Sequence, residues 1–344
     1  MRKLVLHMND ARPIWSIPPW AIEEISSVAS SQFEVSVIDA PADSRGDGGA
    51  APAEVVAAIA DAEVYFGFGF PATLYHAAAE GRAVLRWVHS GSAGVGGALY
   101  PEMRSSPILL TNSAGIHAEP IAETVIAAML FFARGLDYAV AAKRAKQWER
   151  DSFESPDTTV REISGTTLGI LGYGGIGRAV AGRARALGMH VLANRRKDAP
   201  SEAGVEMLAG VEGRERIFAE SDYLLLSLPS TPETTRLVDR AAVERLRRGA
   251  VVISVGRGGV LDEAALADSL KNGRVRGAAL DVFEVEPLPP ESPLWDLPNV
   301  LITPHVSAVT RGFWRREVDL ILANLRRYTA GEELLNTVDK QAGY

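Results

Sequence analysis

Short apolar runs rich in β-branched and aromatic residues alternate along the chain with Ala-rich, helix-compatible stretches. A first series of runs falls at Leu4–Met8, Phe33–Asp39, Glu63–Phe68, Leu85–His89 and Ile108–Asn112. A second falls at Thr167–Leu171, His190–Asn194, Tyr223–Leu228, Val251–Val255, Val275–Val282 and Val300–Thr303. This alternation predicts parallel strands joined by crossover helices. The six strands of the second series suit a doubly wound dinucleotide-binding domain. Between the series, Ala118 to Trp148 reads as one long helical region followed by a polar loop, Glu149 to Ser164. Past Val306 the chain is helical again over Thr310–Thr329 and ends in a polar tail. The expected domains are 1–112, completed by 306–344, and 113–305. The glycine-containing stretch Pro41–Pro52 reads as a solvated loop without a functional role.

Length and composition narrow this picture. At 344 residues, the chain has room for about two domains. The opening run at Leu4–Met8 is cut off by Asn9, Asp10 and Arg12, too early for a signal-peptide core. The most hydrophobic window, Thr124 to Ala133, is bounded by Glu123 and Arg134 and is too short to cross a bilayer. A cytoplasmic location with no membrane partner is expected. Lys plus Arg number 36 against 43 Asp plus Glu, a net charge of −7, which argues against nucleic acid as a partner. The absence of cysteine removes disulfides, thiolate metal sites and thiol nucleophiles. None of the six histidines has metal-ligand spacing, so no metal is expected. His7, His76, His89, His117 and His190 read as structural, with His89 a weak exception because it adjoins a glycine-rich loop.

Glycine is in modest excess, and its placement matters more than its number. Gly172-Tyr173-Gly174-Gly175-Ile176-Gly177 has the spacing GxGxxG between the strand Thr167–Leu171 and a helical stretch, Arg178 to Leu187. In that context Gly172 permits the tight turn, Gly174 lets the backbone approach a pyrophosphate, and Gly177 lets helix and strand pack. The competing reading is a glycine turn of purely structural use. About twenty residues on, where an acidic residue would meet the adenosine ribose, the strand ends instead in Asn194-Arg195-Arg196-Lys197. A guanidinium there suits a 2′-phosphate, so NADP(H) is expected over NAD(H), with NAD still tolerated.

Three consecutive strand ends of the second series deliver ionisable residues: Arg257 after Val251–Gly256, Glu284 and Glu286 after Gly277–Phe283, and His305 after Asn299–Pro304. Ligands of open α/β sheets bind beyond the carboxyl ends of the strands. Reducing a ketone requires a proton at the oxygen, and imidazole suits that task near neutral pH. A carboxylate such as Glu286 would favour the protonated ring and fix it, and Arg257 would bind a carboxylate and polarise the adjacent carbonyl. Taken singly, each residue could be an ordinary loop side chain; their succession carries the argument.

These residues give the second half a family resemblance. It resembles the D-isomer-specific 2-hydroxyacid dehydrogenases through Leu171–Gly177, Leu228-Pro229-Ser230-Thr231-Pro232-Glu233-Thr234, Val255–Asp262, Leu280–Pro289 and Thr303-Pro304-His305. The resemblance covers about residues 85–344, while residues 1–80 match only in pattern. It implies two doubly wound parallel-sheet domains: a Rossmann-type cofactor domain and a flavodoxin-like substrate domain. It further implies Arg257, Glu286 and His305 as the catalytic set, with Asp281 holding the nicotinamide carboxamide. The implied cofactor set is Gly172, Gly174, Gly175, Ile176, Gly177, Arg195, Arg196, Pro229, Thr234, Val255, Gly256, Arg257, Asp281 and His305. The same resemblance places a substrate-carboxylate loop at Ser92-Ala93-Gly94-Val95, facing Arg257, and consecutive peptide N–H groups there could form an anion nest. The formate-oxidising branch carries glutamine at the position of Glu286, which disfavours formate. The helix begun by Glu123 belongs to a region that pairs two subunits in the family, so a homodimer is implied.

The expected function is an NADP(H)-preferring reductase of small 2-keto acids, glyoxylate or hydroxypyruvate being plausible cases. The alternatives are an NAD-dependent oxidation of the phosphoglycerate type, disfavoured by the short chain after residue 330, and a non-catalytic, cofactor-sensing corepressor-like protein. Trp15, Trp20 and Tyr100 are aromatic candidates for shaping the substrate side.

Overall fold

A computed structural model describes residues 2–42, 51–195 and 202–343. Arg196, expected at the cofactor, and most of the loop Pro41–Pro52 lie outside the described residues. The chain divides into two compact units, Met1–His117 with Val309–Tyr344, and Ala118–Ala308. The breaks lie a few residues beyond the expected 112 and 305, because the connecting helix starts only at Ala118.

The first unit has a five-stranded sheet. Its strands are β1 (Arg2–His7), β2 (Phe33–Val37), β3 (Val64–Gly67), β4 (Trp87–Ser90) and β5 (Leu109–Asn112), in the order β2-β1-β3-β4-β5. All described pairings are parallel. The order is that of a flavodoxin-like sheet. Side chains on β1 alternate between two cores: Leu4 and Leu6 pack with Phe33, Phe66 and Trp87, while Val5 packs with Val55, Ile59 and Leu74. Helices therefore cover both faces, which is why the inner strands read as unbroken apolar runs. The last helix, Phe313–Ala330, lays Phe313, Val318, Ile321 and Leu325 into the first of these cores. It stops at Gly331, whose left-handed φ of 71° suits a glycine cap.

Among the described residues the second unit carries seven strands, one more than expected: β6 (Thr167–Leu171), β7 (His190–Arg195), β8 (Glu206–Ala209), β9 (Tyr223–Leu226), β10 (Val251–Ser254), β11 (Gly277–Leu280) and β12 (Val300–Ile302). The sequence reading missed β8. It is a short edge strand with a charged first residue and only three apolar ones, Met207 to Ala209, none of them β-branched or aromatic. The order is β12-β11-β10-β9-β6-β7-β8, so the strand order reverses between β6 and β9. A doubly wound sheet opens its ligand crevice at such a switch point.

The helical region after residue 118 is not continuous. Helix Ala118–Ala133 ends, Gly135 adopts a φ of 64°, and helix Leu136–Ala145 leaves at 69° to the first. Among the described residues no single helix is long and apolar enough to cross a membrane.

Candidate active site

The glycine turn occupies the switch point. Gly172 follows β6 with a φ of 98°, and a Cβ there would lie 2.7 Å from the Ser227 carbonyl that follows β9. Gly177 is equally constrained, since its Cβ would meet the Gly172 carbonyl oxygen at 2.6 Å. Gly174 differs: nothing lies within 4 Å of the position a Cβ would take. It is the N-cap of helix Gly175–Ala186 and brings no side-chain cap, so the first peptide N–H groups of that helix, from Gly175 and the half-buried Ile176 onward, face an open cradle. Two glycines thus build the turn and one leaves room, a division that fits an approaching diphosphate.

Arg195 ends β7, as expected, but it is not alone. Its Nε donates to the Tyr173 carbonyl at 3.3 Å and its guanidinium lies 5.1 Å from the Tyr173 ring centroid. Arg178 lies 5.3 Å from that centroid. Both cations reach Glu202, at 3.5 Å and 3.4 Å, and the Tyr173 hydroxyl donates to the same carboxylate at 2.9 Å. The Tyr173 hydroxyl, with the two arginines behind it, holds the Glu202 carboxyl below its ordinary range. The sequence reading found no carboxylate at the end of this strand. One is present, delivered seven residues later by the segment leading into β8 rather than by β7 itself.

At the ends of β9, β10 and β11 the chain is packed very closely. A Cβ on Gly256 would come within 2.6 Å of the Leu228 carbonyl oxygen, and one on Gly258 within 1.9 Å of the Phe283 carbonyl carbon. The segment bearing Arg257 is thereby seated between its two neighbours, with Val255 buried beneath it. Arg257 is exposed and spends one N–H on the Gly256 carbonyl at 2.8 Å, leaving four donors for a ligand. Pro229 and Thr234 form a closed turn after β9. The Thr234 hydroxyl donates to the Pro229 carbonyl at 2.7 Å and accepts the Thr231 N–H at 2.8 Å.

His305 and Glu286 are brought together. Nδ1 of the imidazole lies 2.8 Å from Glu286 Oε2, and Glu286 Oε1 accepts the Phe283 N–H at 2.9 Å. An ionised carboxylate only accepts, so Nδ1 carries the hydrogen and Nε2 is left to the ligand side. Both side chains are part-exposed. His305 has a φ of 55°, an uncommon conformation for a non-glycine residue.

Asp281, which the resemblance implied for the nicotinamide carboxamide, bonds the loop that carries His305. It is 2% exposed, and its oxygens accept the Thr303 hydroxyl at 2.6 Å, the Val306 N–H at 2.9 Å, and the N–H and hydroxyl of Ser307 at 3.1 and 2.5 Å. Asp281 thereby anchors the loop that carries His305.

In the first unit, the loop after β4 places its carbonyls on one side. The Ser90 carbonyl accepts from Ser113 Oγ at 3.0 Å, the Ser92 carbonyl from the Ser113 N–H at 3.3 Å, and the Ala93 carbonyl from Asn112 Nδ2 at 2.8 Å. Among the described residues the N–H groups of Ala93, Gly94 and Val95 have no acceptor, as an anion nest requires.

Comparison with known proteins agrees with this geometry. Residues 126–307 match the family model described as D-isomer specific 2-hydroxyacid dehydrogenase, NAD binding domain. The chain is 36% identical over 239 residues to a D-3-phosphoglycerate dehydrogenase of Mycobacterium leprae, covering 69% of this chain and 43% of that protein. The chain therefore spans less than half the length of that relative. It is 35% identical over 237 residues to a glyoxylate reductase of Korarchaeum cryptofilum, covering 68% of this chain and 70% of that protein. Among solved structures, a D-isomer specific 2-hydroxyacid dehydrogenase of Xanthobacter autotrophicus in complex with NADPH and MES aligns with a TM-score of 0.80. It shows 29% identity and covers 100% of this chain and 99% of that one. A nucleotide cradle at the switch point, followed by an arginine, a glutamate and a histidine at successive strand ends, is what this matching segment encloses, and the chain belongs to the D-isomer specific 2-hydroxyacid dehydrogenases.

Proposed function

We propose that the protein is a reductase of small 2-keto acids that prefers NADP(H) and accepts NAD(H). The observation that carries this reading is the His305–Glu286 pair at 2.8 Å, held on the second unit beside the Arg257 segment and beyond the glycine cradle. Gly174, Gly175 and Ile176 would hold the diphosphate of the cofactor, Arg195 its 2′-phosphate, and Pro229, Val255 and Gly256 would line its nicotinamide half. When bound, the nicotinamide supplies the hydride. Arg257 binds the keto acid and polarises its carbonyl, so that negative charge develops on the oxygen against a fixed cation. His305 delivers the proton to that oxygen from Nε2 while Glu286, on Nδ1, stabilises the ring in its charged form. Reduction consumes this proton, so it is favoured on the neutral-to-acidic side. On the first unit, the N–H groups of Ala93, Gly94 and Val95 would suit a carboxylate.

Initial rates with a panel of 2-keto acids, NADPH and NADH side by side, test the reading. A larger kcat/KM for NADH overturns the role given to Arg195, and no turnover with any 2-keto acid overturns the whole, leaving a cofactor-sensing protein. Oxidation of D-3-phosphoglycerate is the second reading, favoured by relatives such as the Mycobacterium leprae protein, and the same panel run in reverse with that substrate decides it.

A homodimer forms part of the proposal, supported by exposed apolar side chains along and after helix Leu136–Ala145: Leu136, Val140 and Trp148, the last 94% exposed. Light scattering on the purified protein tests it. A cytoplasmic location, where a nicotinamide pool is at hand, goes with this reading and is tested by cell fractionation.

A further inference from the structure

The first unit seals a polar chain inside its core. Trp87, His89, Thr111, Ser113 and Glu317 have no exposed surface. Trp87 Nε1 donates to Thr111 Oγ1 at 2.9 Å, and His89 Nδ1 lies 2.9 Å from the same oxygen. His89 Nε2 lies 2.9 Å from Glu317 Oε1, and the Ser113 hydroxyl reaches Glu317 Oε2 at 2.7 Å and the Ser90 carbonyl at 3.0 Å. Every side chain in the series finds a partner, as burial demands. Stability does not by itself account for such a chain, because apolar residues of the same volume are often as good or better.

What the chain touches is the loop after β4. Ser113 holds the Ser90 carbonyl with its hydroxyl and the Ser92 carbonyl with its peptide N–H. The N–H groups of Ala93, Gly94 and Val95 follow directly on these anchored carbonyls, so holding the carbonyls restricts the peptide run that a nest would need. Ser113 has one hydroxyl proton for two acceptors, Glu317 and Ser90, so what the 2.7 Å contact to Glu317 contributes is the rotamer that keeps Ser113 Oγ within 3.0 Å of the Ser90 carbonyl. Glu317 itself is held by helix Phe313–Ala330, which reaches the sheet from the far end of the sequence.

We propose that Glu317, acting through Ser113, is the positioning residue of the anion-binding loop 92–95. This deepens the reading of that loop as the substrate-carboxylate site and rests on it. Three variants test it: Ser113→Ala, Glu317→Ala and Glu317→Gln. Glutamine can accept from His89 and donate to Ser113, which leaves the Ser113 proton to Ser90. In Ser113→Ala and Glu317→Ala the KM for glyoxylate rises about tenfold, while kcat and the KM for NADPH stay within about twofold of the parent. Glu317→Gln restores the glyoxylate KM. Amide hydrogen exchange at Gly91 and Ser113, whose N–H groups bond the Gly67 and Ser92 carbonyls, rises in the two alanine variants and returns to parental rates in Glu317→Gln. A folded Ser113→Ala protein with parental KM and parental exchange overturns the proposal, and this milder variant decides the matter if Glu317→Ala does not fold. Should the parent turn over no 2-keto acid, the functional reading fails on its own, and the exchange comparison still decides whether Glu317 orders the loop.

Discussion

The imidazole Nδ1 of His305 lies 2.8 Å from Oε2 of Glu286, and the second oxygen of that carboxylate is fixed by the Phe283 N–H at 2.9 Å. The glutamate is therefore oriented by the backbone after β11, and it in turn orients a histidine delivered by the strand end of β12. Two neighbouring strand ends cooperate to aim one nitrogen.

If Nε2 of His305 is the proton donor, His305→Ala lowers kcat by about 10²- to 10⁴-fold while NADPH binding, followed by fluorescence titration, survives. Glu286→Gln keeps a hydrogen bond but loses the charge opposite the ring, so kcat falls. A His305→Ala enzyme with parental kcat would remove the residue from the mechanism.

Arg195 stands between the Tyr173 ring and Glu202, free to exchange that carboxylate for a phosphate. Arg195→Ala should raise the KM for NADPH by about ten- to a hundredfold, the worth of charge-assisted hydrogen bonds, and leave the KM for NADH nearly unchanged. Equal effects on both cofactors would show that the arginine serves the diphosphate or the fold instead.

Asp281 tethers Thr303, Val306 and Ser307 on either side of His305. Asp281→Ala leaves several buried donors without an acceptor, so we expect a loss of about 1–3 kcal/mol in stability together with a fall in kcat. Urea unfolding and steady-state rates measured on one preparation check both. Unchanged kcat in the folded variant would separate Asp281 from the histidine loop.

Gly258 has no space for a side chain, because its Cβ would fall 1.9 Å from the Phe283 backbone. Gly258→Ala must push apart the segments that seat Arg257, at about 1–3 kcal/mol for such overpacking, and the KM for the keto acid should rise with it. A parental urea midpoint would contradict this account of the strand-end packing.

His7 is buried, with Nδ1 3.0 Å from the Tyr65 hydroxyl and Nε2 3.1 Å from the Ala40 carbonyl. Burial pushes its imidazole below the usual histidine range, and the bond to Ala40 opposes this only in part. As pH falls through about 6.5, the unfolded chain takes up the proton first, so the unfolded state binds more protons and stability drops. The contribution is complete above that range. His7→Gln, which cannot titrate, should flatten the fall in urea midpoint between about pH 7.5 and 5.5, and an identical slope in parent and variant would assign it to other groups.

The sequence by itself determined the alternation of strands and helices, the GxGxxG turn and the identities of Arg257, Glu286 and His305, because these depend on local patterns: apolar periodicity, glycine spacing and the residue types at each strand's carboxyl end. The edge strand β8 escaped because Glu206–Ala209 is short and has no β-branched or aromatic residue, and the break at Gly135 escaped because a lone glycine in an Ala-rich stretch does not announce its backbone angle. Glu202 and Glu317 were invisible for a different reason. Glu202 comes to Arg195 only through the segment leading into the edge strand, and Glu317 lies 228 residues from the histidine it holds. The one hint for Glu317 was an acidic residue on the apolar face of helix Phe313–Ala330, between Phe313 and Ile321. Asp281 shows the same limit, since nothing in its motif announced that its carboxylate holds the loop of His305. A carboxylate's role is set by which donors reach it, and those donors come from parts of the chain that only the folded structure brings together.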